Sequence, residues 1–248
     1  MSPKNLSAGN KIHKFFDLEL KDEKIKSIYQ KFEKKVKLSE AFAIAVSGGP
    51  DSLALSFLAK LYSIKNNINV SFYIVNHKLR SNSYEEANYV NILLKRIFVK
   101  AKILEWHGIK PSKNLQAIAR NNRYKLIFKE CRKKGIKNIL LGHHQDDVLE
   151  NFIIRLMRGS GLRGLVSLDE KNFNTKFNIL RPLIDLSKKD LIYVSEKIFN
   201  EYVQDPSNND EIFKRVKVRN LIKNLEKEGL DKKKFVLTID NLKKSNNA

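Results

Sequence analysis

Ser47-Gly48-Gly49-Pro50-Asp51-Ser52 is the first segment whose residue types can do chemistry. Two glycines let the backbone approach an anion closely and take positive φ. A helix behind the loop would point free N–H groups at the same place. Ser47 and Ser52 add hydroxyl donors. The result is a phosphate cradle without a lysine. It is not G-x-x-x-x-G-K-[ST], and it is not G-x-G-x-x-G, which argues against a dinucleotide. A plain glycine turn, with Asp51 or Ser52 as a helix cap, is the alternative for a bare glycine pair.

The second segment is Gly142-His143-His144-Gln145-Asp146-Asp147-Val148-Leu149-Glu150-Asn151. At about 100° per residue, Val148, Leu149, Phe152, Ile153 and Leu156 share one face. His143, Asp146, Asp147, Glu150, Asn151, Arg155 and Arg158 fall on the opposite arc, interrupted by Ile154 and Met157. A carboxylate trio at the mouth of a sheet can hold a metal or bind an amine, and a solvated charged face is the alternative. H-E-x-x-H is absent, and no dedicated protein-held metal site is expected.

Both segments need a frame. Ala41–Val46 is a short continuous apolar run that suits a buried strand. A helical stretch with Leu53, Leu55, Leu58 and Leu61 follows, then a strand over Val70–Val75. Ser83–Phe98 reads as a helix, Ala101–Glu105 as a strand, Leu115–Lys134 as a helix and Asn138–Leu141 as a strand. Asp146–Met157 reads as a helix stopped by Gly159 and Gly161. This alternation predicts an α/β fold, a parallel sheet with helices on both faces. Ligands in such sheets sit beyond the carboxyl ends of the strands, where both glycine turns fall.

Upstream, Ile25, Ile28, Tyr29, Phe32 and Val36 make one apolar stripe, so residues 1–40 read as a helical extension, partly disordered at its start. Residues 41–185 form the nucleotide-binding domain. Downstream of Arg181-Pro182, Lys188–Asn200 and Arg215–Glu228 read as helices, and 186–248 forms a helical C-terminal region.

The 248 residues carry 48 Lys and Arg against 27 Asp and Glu, a net charge of +21. The excess is clustered. Residues 95–137 hold 14 basic and 2 acidic side chains, and residues 214–248 hold 11 and 4, so these windows carry 19 of the 21 net charges. Clustering favours a polyanion partner over a mere composition bias. The single cysteine, Cys131, excludes an intramolecular disulfide framework and a cysteine-ligated cluster. No apolar run approaches the roughly 18 residues a bilayer needs, and the N-terminus has no leader-like apolar stretch. The expectation is a cytoplasmic protein without a membrane partner.

S-G-G-x-D-S after an apolar strand resembles the loop of the PP-loop ATP pyrophosphatases. Those enzymes split ATP between the α- and β-phosphates and adenylate a substrate oxygen. The acidic segment, continued through Arg158-Gly159-Ser160-Gly161-Leu162-Arg163-Gly164-Leu165, resembles the corresponding stretch of the tRNA(Ile)-lysidine synthetase family. Asn76-His77-Lys78-Leu79-Arg80, the run from Gln116 to Tyr124, Arg181-Pro182-Leu183 and Asp205-Pro206-Ser207-Asn208 are similar to further motifs of that family, in order. The match covers about Phe42 to Leu221. Asn76 stands where Asp is usual, Val148 and Asn151 where Gln and Thr are usual, and Val216 where Asn is usual.

The resemblance implies ligation of L-lysine to C2 of the wobble cytidine of an isoleucine tRNA, through an adenylated tRNA, with ATP and Mg²⁺. It implies that Ser47–Ser52, that is Ser47, Gly48, Gly49, Pro50, Asp51 and Ser52, binds ATP. Asp146, Asp147 and Glu150 would bind lysine, and Asp51, Arg120 and Asp147 would be catalytic. Arg123, Arg158, Arg181, Arg215 and Arg219 would meet tRNA. One of the carboxylates, or His143, would take the amine's proton. Many family members carry further C-terminal domains, so residues 215–244 are expected to grip the tRNA here. A homodimer stays open. The competing readings are another PP-loop adenylating tRNA-modifying enzyme and a non-enzymatic basic nucleic-acid-binding module. A lone cysteine disfavours tRNA thiolation, and a simple binding module leaves the loop and the acidic helix unexplained.

Overall fold

The computed structural model describes residues 8–79, 82–108, 115–166, 171–172, 176–204 and 212–247. Among these residues, six strands form one sheet in the order β3-β2-β1-β4-β6-β5. They are β1 (Phe42–Val46), β2 (Val70–Asn76), β3 (Lys102–Glu105), β4 (Asn138–Leu140), β5 (Lys171–Asn172) and β6 (Asn178–Leu180). The first five in spatial order run parallel, and β5 pairs antiparallel with β6. The expected parallel α/β sheet is what the chain forms.

β1 sits at the centre because its residues suit burial on both faces. Phe42, Ile44 and Val46 enter one apolar cluster, while Ala43 enters the other with Tyr73, Ile127 and Cys131. Helix α3 (Pro50–Asn66) covers the first face, with α2 (Glu23–Val36), α4 (Ser83–Lys95) and α8 (Lys188–Phe199) also packed into its cluster. Helix α5 (Leu115–Lys133) covers the second. The five stripe residues of α2 are all buried, from Ile25 at 0% exposure to Ile28 at 3%. Each contributes about 2 kcal/mol relative to exposure. Asp22 starts this helix by accepting the Lys24 and Ile25 N–H groups.

Five elements escape the sequence patterns, among them the one-turn helix α7 (Leu162–Leu165) and the two-residue strand β5. Residues 8–19 form α1 (Ala8–Glu19), with Phe16 stacked on Phe57 inside the core. β6 extends the sheet beyond β4. Lys232–Asn247 forms α10, which joins α6 (Gln145–Leu156) and α9 (Lys214–Lys227) in a third apolar cluster through Ile239, Val218 and Ile222. Helix α8 begins the stretch assigned to the C-terminal region, yet its Leu191, Val194 and Phe199 lie in the main core.

The order places β2 and β4 on opposite sides of β1. Ile44 pairs with Phe72 and with Leu140, so three strand ends meet at one edge. This is where connections diverge to the two sides of β1, the usual ligand crevice of such sheets.

Candidate functional site at the carboxyl edge of the sheet

The glycine loop joins β1 to α3 at this edge. Gly48 has φ +84°, and a Cβ there would lie 2.4 Å from Val90 Cγ2, so only glycine fits. Gly49 is the N-cap of α3 and Pro50 its first residue, where a missing N–H costs nothing. The Ser47 N–H donates to Ser52 Oγ at 3.2 Å, and the Ser52 hydroxyl donates to the Gly49 carbonyl at 2.9 Å. The Ser52 proton is therefore committed to closing the loop. The Ser47 hydroxyl also donates to Ser52 Oγ at 3.2 Å, and the Ser52 and Leu53 amides donate to the Gly49 carbonyl, so the donors left to an anion are the amides of Gly48, Gly49 and Asp51.

Asp51 points from the first turn of α3 into a charged cluster. The Lys188 Nζ donates to Asp51 Oδ1 at 2.7 Å and to Oδ2 at 2.6 Å. The His144 Nε2 lies 3.6 Å from Asp51 Oδ2 and 3.6 Å from Asp147 Oδ2. Burial works against the Asp51 charge, but His144 and Lys188 outweigh it and hold the carboxyl below its usual range. Burial likewise disfavours imidazolium at His144, and Asp51 and Asp147 reverse the balance, raising its pKa.

His144 is also the N-cap of α6. Its Nδ1 accepts the Asp146 N–H at 3.2 Å, and its own N–H donates to Asp147 Oδ2 at 3.0 Å. An accepting Nδ1 places the hydrogen of the neutral ring on Nε2, facing the two carboxylates. Neighbouring Gly142 has no room to spare, since a Cβ there would meet the Asp51 carbonyl at 3.3 Å.

Two cavities share this centre. One, of about 460 Å³, lies over the ends of β1 and β2 and is lined by Ser47, Asp51, Ser52, Asn76, His77, Arg120, Arg123, His143, Asp147 and Arg215. The other, of about 610 Å³, lies between α6, α8 and α9 and is lined by Gly49, Pro50, Asp51, Arg123, His144, Asp146, Asp147, Glu150, Lys188 and Arg219. Asp51, Arg123 and Asp147 face both.

The acidic arc is thus not a solvated face. Asp147 is 9% exposed and Glu150 is 2% exposed. Arg219 of α9 donates its Nε to Glu150 Oε1 at 2.5 Å. Burial raises the Glu150 pKa, and Arg219 offsets only part of that rise. Arg219, read as a tRNA contact, is thus half-buried and engages a carboxylate read as a lysine contact. Leu156, placed on the buried arc by periodicity, is 55% exposed.

Burial pushes His143 down to about 4, with the Arg181, Arg120 and Arg215 charges adding to it and Asp147 opposing. His77 is likewise pushed down to about 4 by burial and Arg123. Both rings are neutral at pH 7. Asn76 accepts the Lys78 N–H on Oδ1 at 2.9 Å, which turns its amide nitrogen the other way, buried and unpaired. Arg158 is exposed beyond the end of α6 and lines neither cavity. Arg80 and Asp205-Pro206-Ser207-Asn208 lie outside the described residues.

Lys188 and His144 carry no role in the sequence reading. His144 was legible as the residue before an acidic helix start. Lys188 had no such signal, because its partner lies 137 residues away.

Among the described residues, no group of three or more His, Cys, Asp or Glu converges as a metal cage. Asp51 offers one carboxylate beside the loop. That fits Mg²⁺ arriving on phosphates, which the protein holds through one or two carboxylates.

A parallel sheet with a lysine-free glycine loop at its carboxyl edge defines a nucleotide-binding enzyme domain, and the PP-loop domain family matches residues 20–226. The chain belongs to that family. It is 40% identical over 194 residues to the tRNA(Ile)-lysidine synthase of Orientia tsutsugamushi, covering 78% of this chain and 43% of that protein. It is 34% identical over 216 residues to the tRNA(Ile)-lysidine synthase of Bradyrhizobium diazoefficiens, covering 86% and 60%. The chain spans about half the length of the curated relatives it matches. In fold it is similar to the U34-tRNA thiolase NcsA from Methanococcus maripaludis, solved with its [4Fe-4S] cluster. The TM-score is 0.75 at 20% identity, over 90% of this chain and 80% of that one.

Proposed function

We propose that the chain joins the ε-amine of L-lysine to C2 of the wobble cytidine of an isoleucine tRNA, consuming ATP and releasing AMP and pyrophosphate. The observation that carries this reading is the pair of cavities meeting at Asp51 and Asp147. A phosphate loop borders both, and five carboxylates border the second, those of Asp51, Glu86, Asp146, Asp147 and Glu150. The first suits ATP and the second suits a cationic amine.

A pyrimidine carbonyl oxygen is a poor leaving group, and adenylation makes AMP the leaving group instead. The loop amides and Asp51, with Mg²⁺ carried on the nucleotide, would hold the pyrophosphate as charge builds on it. Arg120, half of a helix-borne pair with Arg123, would neutralise the adenylate. Asp146 and Asp147 line the second cavity beside the shared wall and would bind the lysine ammonium. Glu150 would contribute through Arg219. His143, at the wall of the first cavity, has a buried Nδ1 left unpaired, and it or one of the carboxylates would accept the amine's proton. His144 Nε2 already carries hydrogen in the neutral ring and would not.

Arg123, Arg215 and the exposed lysines of α9 would take the tRNA, with residues 186–248 as the tRNA-contacting region. The protein would work in the cytoplasm, and light scattering would test the homodimer. No described helix is long and apolar enough to cross a membrane. The competing reading, a thiolation-type PP-loop enzyme, is weakened by Cys131. It is buried in the cluster under α5, where burial pushes its thiol up to about 11. Incubation with ATP, lysine and an isoleucine tRNA transcript, followed by mass analysis of the anticodon nucleosides, tests the proposal. Unmodified cytidine in an ATP-binding preparation would refute it.

A further inference from the structure

The glycine loop has no lysine of its own, and α8 brings one to it. We propose that Lys188 is the phosphate-binding lysine of this site, held on Asp51 until the nucleotide arrives. The inference rests on the ATP-dependent reading above and assigns a residue to it.

The placement is built, not incidental. Lys188 is the first residue of α8, after the Ser187 N-cap, which is closed by a reciprocal bond with Asp190. The turn before it is anchored by Leu183 and Leu186, at 0% and 1% exposure. The Gln145 N–H donates to the Leu186 carbonyl at 3.1 Å, which ties the start of α8 to the start of α6. The stem of Lys188 therefore leaves a fixed point, and its ammonium meets both oxygens of Asp51 beside the loop.

Charge decides what this ammonium does. Asp51 and Asp147 both face the cavity that adjoins the loop. Glu86 lines both cavities too, and Arg120, Arg123 and Arg215 face the first from its far walls, so at the loop itself Asp51 is the carboxylate an incoming phosphate meets and Lys188 is the cation that pairs with it. Lys188, whose side chain is 35% exposed, has room and freedom to turn from Asp51 to a phosphate oxygen. Asp51 is then released to face the metal that accompanies the phosphates. A lysine serving only to fasten α8 to α3 would have no reason to stand at the rim of the second cavity.

The test is binding by the full chain, without lysine or tRNA, by isothermal titration. Inorganic pyrophosphate, ATP and adenosine are the probes. Lys188→Met should weaken pyrophosphate and ATP at least tenfold and leave adenosine within twofold. Lys188→Arg should restore most of the loss. In metal-free buffer, Asp51→Asn should tighten pyrophosphate, because it frees the ammonium, and Lys188→Met should abolish that gain. Lys188→Gln, which can still hydrogen-bond Asp51, serves where the Met variant does not fold. Unchanged pyrophosphate affinity in a folded Lys188 variant, or equal loss of adenosine, overturns the inference. A wild-type chain that binds neither ATP nor pyrophosphate instead overturns the ATP-dependent reading itself.

Discussion

Arg219 reaches from α9 to Glu150 on α6 at 2.5 Å and neutralises a carboxylate that is only 3% exposed at its side chain. Removing the cation leaves Glu150 uncompensated in a poorly solvated place. A fully buried pair broken this way costs about 3–5 kcal/mol. Arg219 is 39% exposed, so the loss is smaller. Arg219→Met should cost about 2 kcal/mol in urea unfolding. Adding Glu150→Gln should recover most of that. Additive losses would mean that the two side chains do not share an interaction.

The loop assignment predicts that Asp51→Ala folds but no longer releases pyrophosphate from ATP. Circular dichroism and a pyrophosphate assay check the two halves. Normal release by the variant would remove Asp51 from the reaction.

Amine selection should depend on Asp147. Asp147 Oδ2 also accepts the His144 N–H, so an alanine there would lose a helix cap worth about 1 kcal/mol. Asp147→Asn keeps an acceptor and removes only the charge. It should raise the lysine KM at least tenfold while tRNA adenylation, followed by labelled AMP transfer, persists. Equal loss of both half-reactions would give Asp147 a phosphate-side role.

Acid stability follows from the two depressed histidines. His77 and His143 sit at about 4 in the folded chain, below the unfolded value of 6.5. The unfolded chain then binds more protons between those limits. Their contribution is present above pH 6.5 and is lost as pH falls toward 4. The melting temperature should fall across that window, and His77→Asn and His143→Asn should each flatten the decline. An unaltered slope in both variants would refute it.

The proposed tRNA surface calls for surface neutralisation rather than truncation. Cutting before α9 would expose the α6 face that Val218 and Ile222 cover and would strand Glu150. Lys214, Lys217 and Lys227 are exposed on α9. Changing all three to Gln should weaken tRNA binding and lower the salt slope by about 2–3, at roughly 0.7–0.9 for each phosphate no longer neutralised. ATP affinity should not change. An unchanged slope would make these lysines bystanders.

What the sequence disclosed depended on range. Ser47–Ser52 could be read because a loop, a helix start and a carboxylate lie within six neighbouring positions. The stripe of α2 was legible because helical periodicity is local, and all five of its residues are buried. Strand β6 offered three residues, Asn178-Ile179-Leu180, too few for a pattern. Helix α10 carries lysines around most of its surface, which hides the single fully buried Ile239. The burial of Asp147 and Glu150 needed knowledge of what covers α6, and that cover, α9, begins more than sixty residues downstream. Composition alone could not separate a hydrated acidic face from a walled one.

The Gly48 carbonyl accepts the Val203 N–H at 2.9 Å, so the segment leaving α8 hangs from the loop itself. That carbonyl belongs to the same peptide unit as the Gly49 N–H, one of the amides an anion would occupy. Charge drawn onto the N–H polarises the carbonyl and strengthens the bond it accepts. On the proposed function, nucleotide occupancy is thereby written into the tether of the Val203 backbone, on the chain's way from the loop-bearing core to α9. Amide exchange at Val203 is the gauge of that message, slowing when the loop is filled.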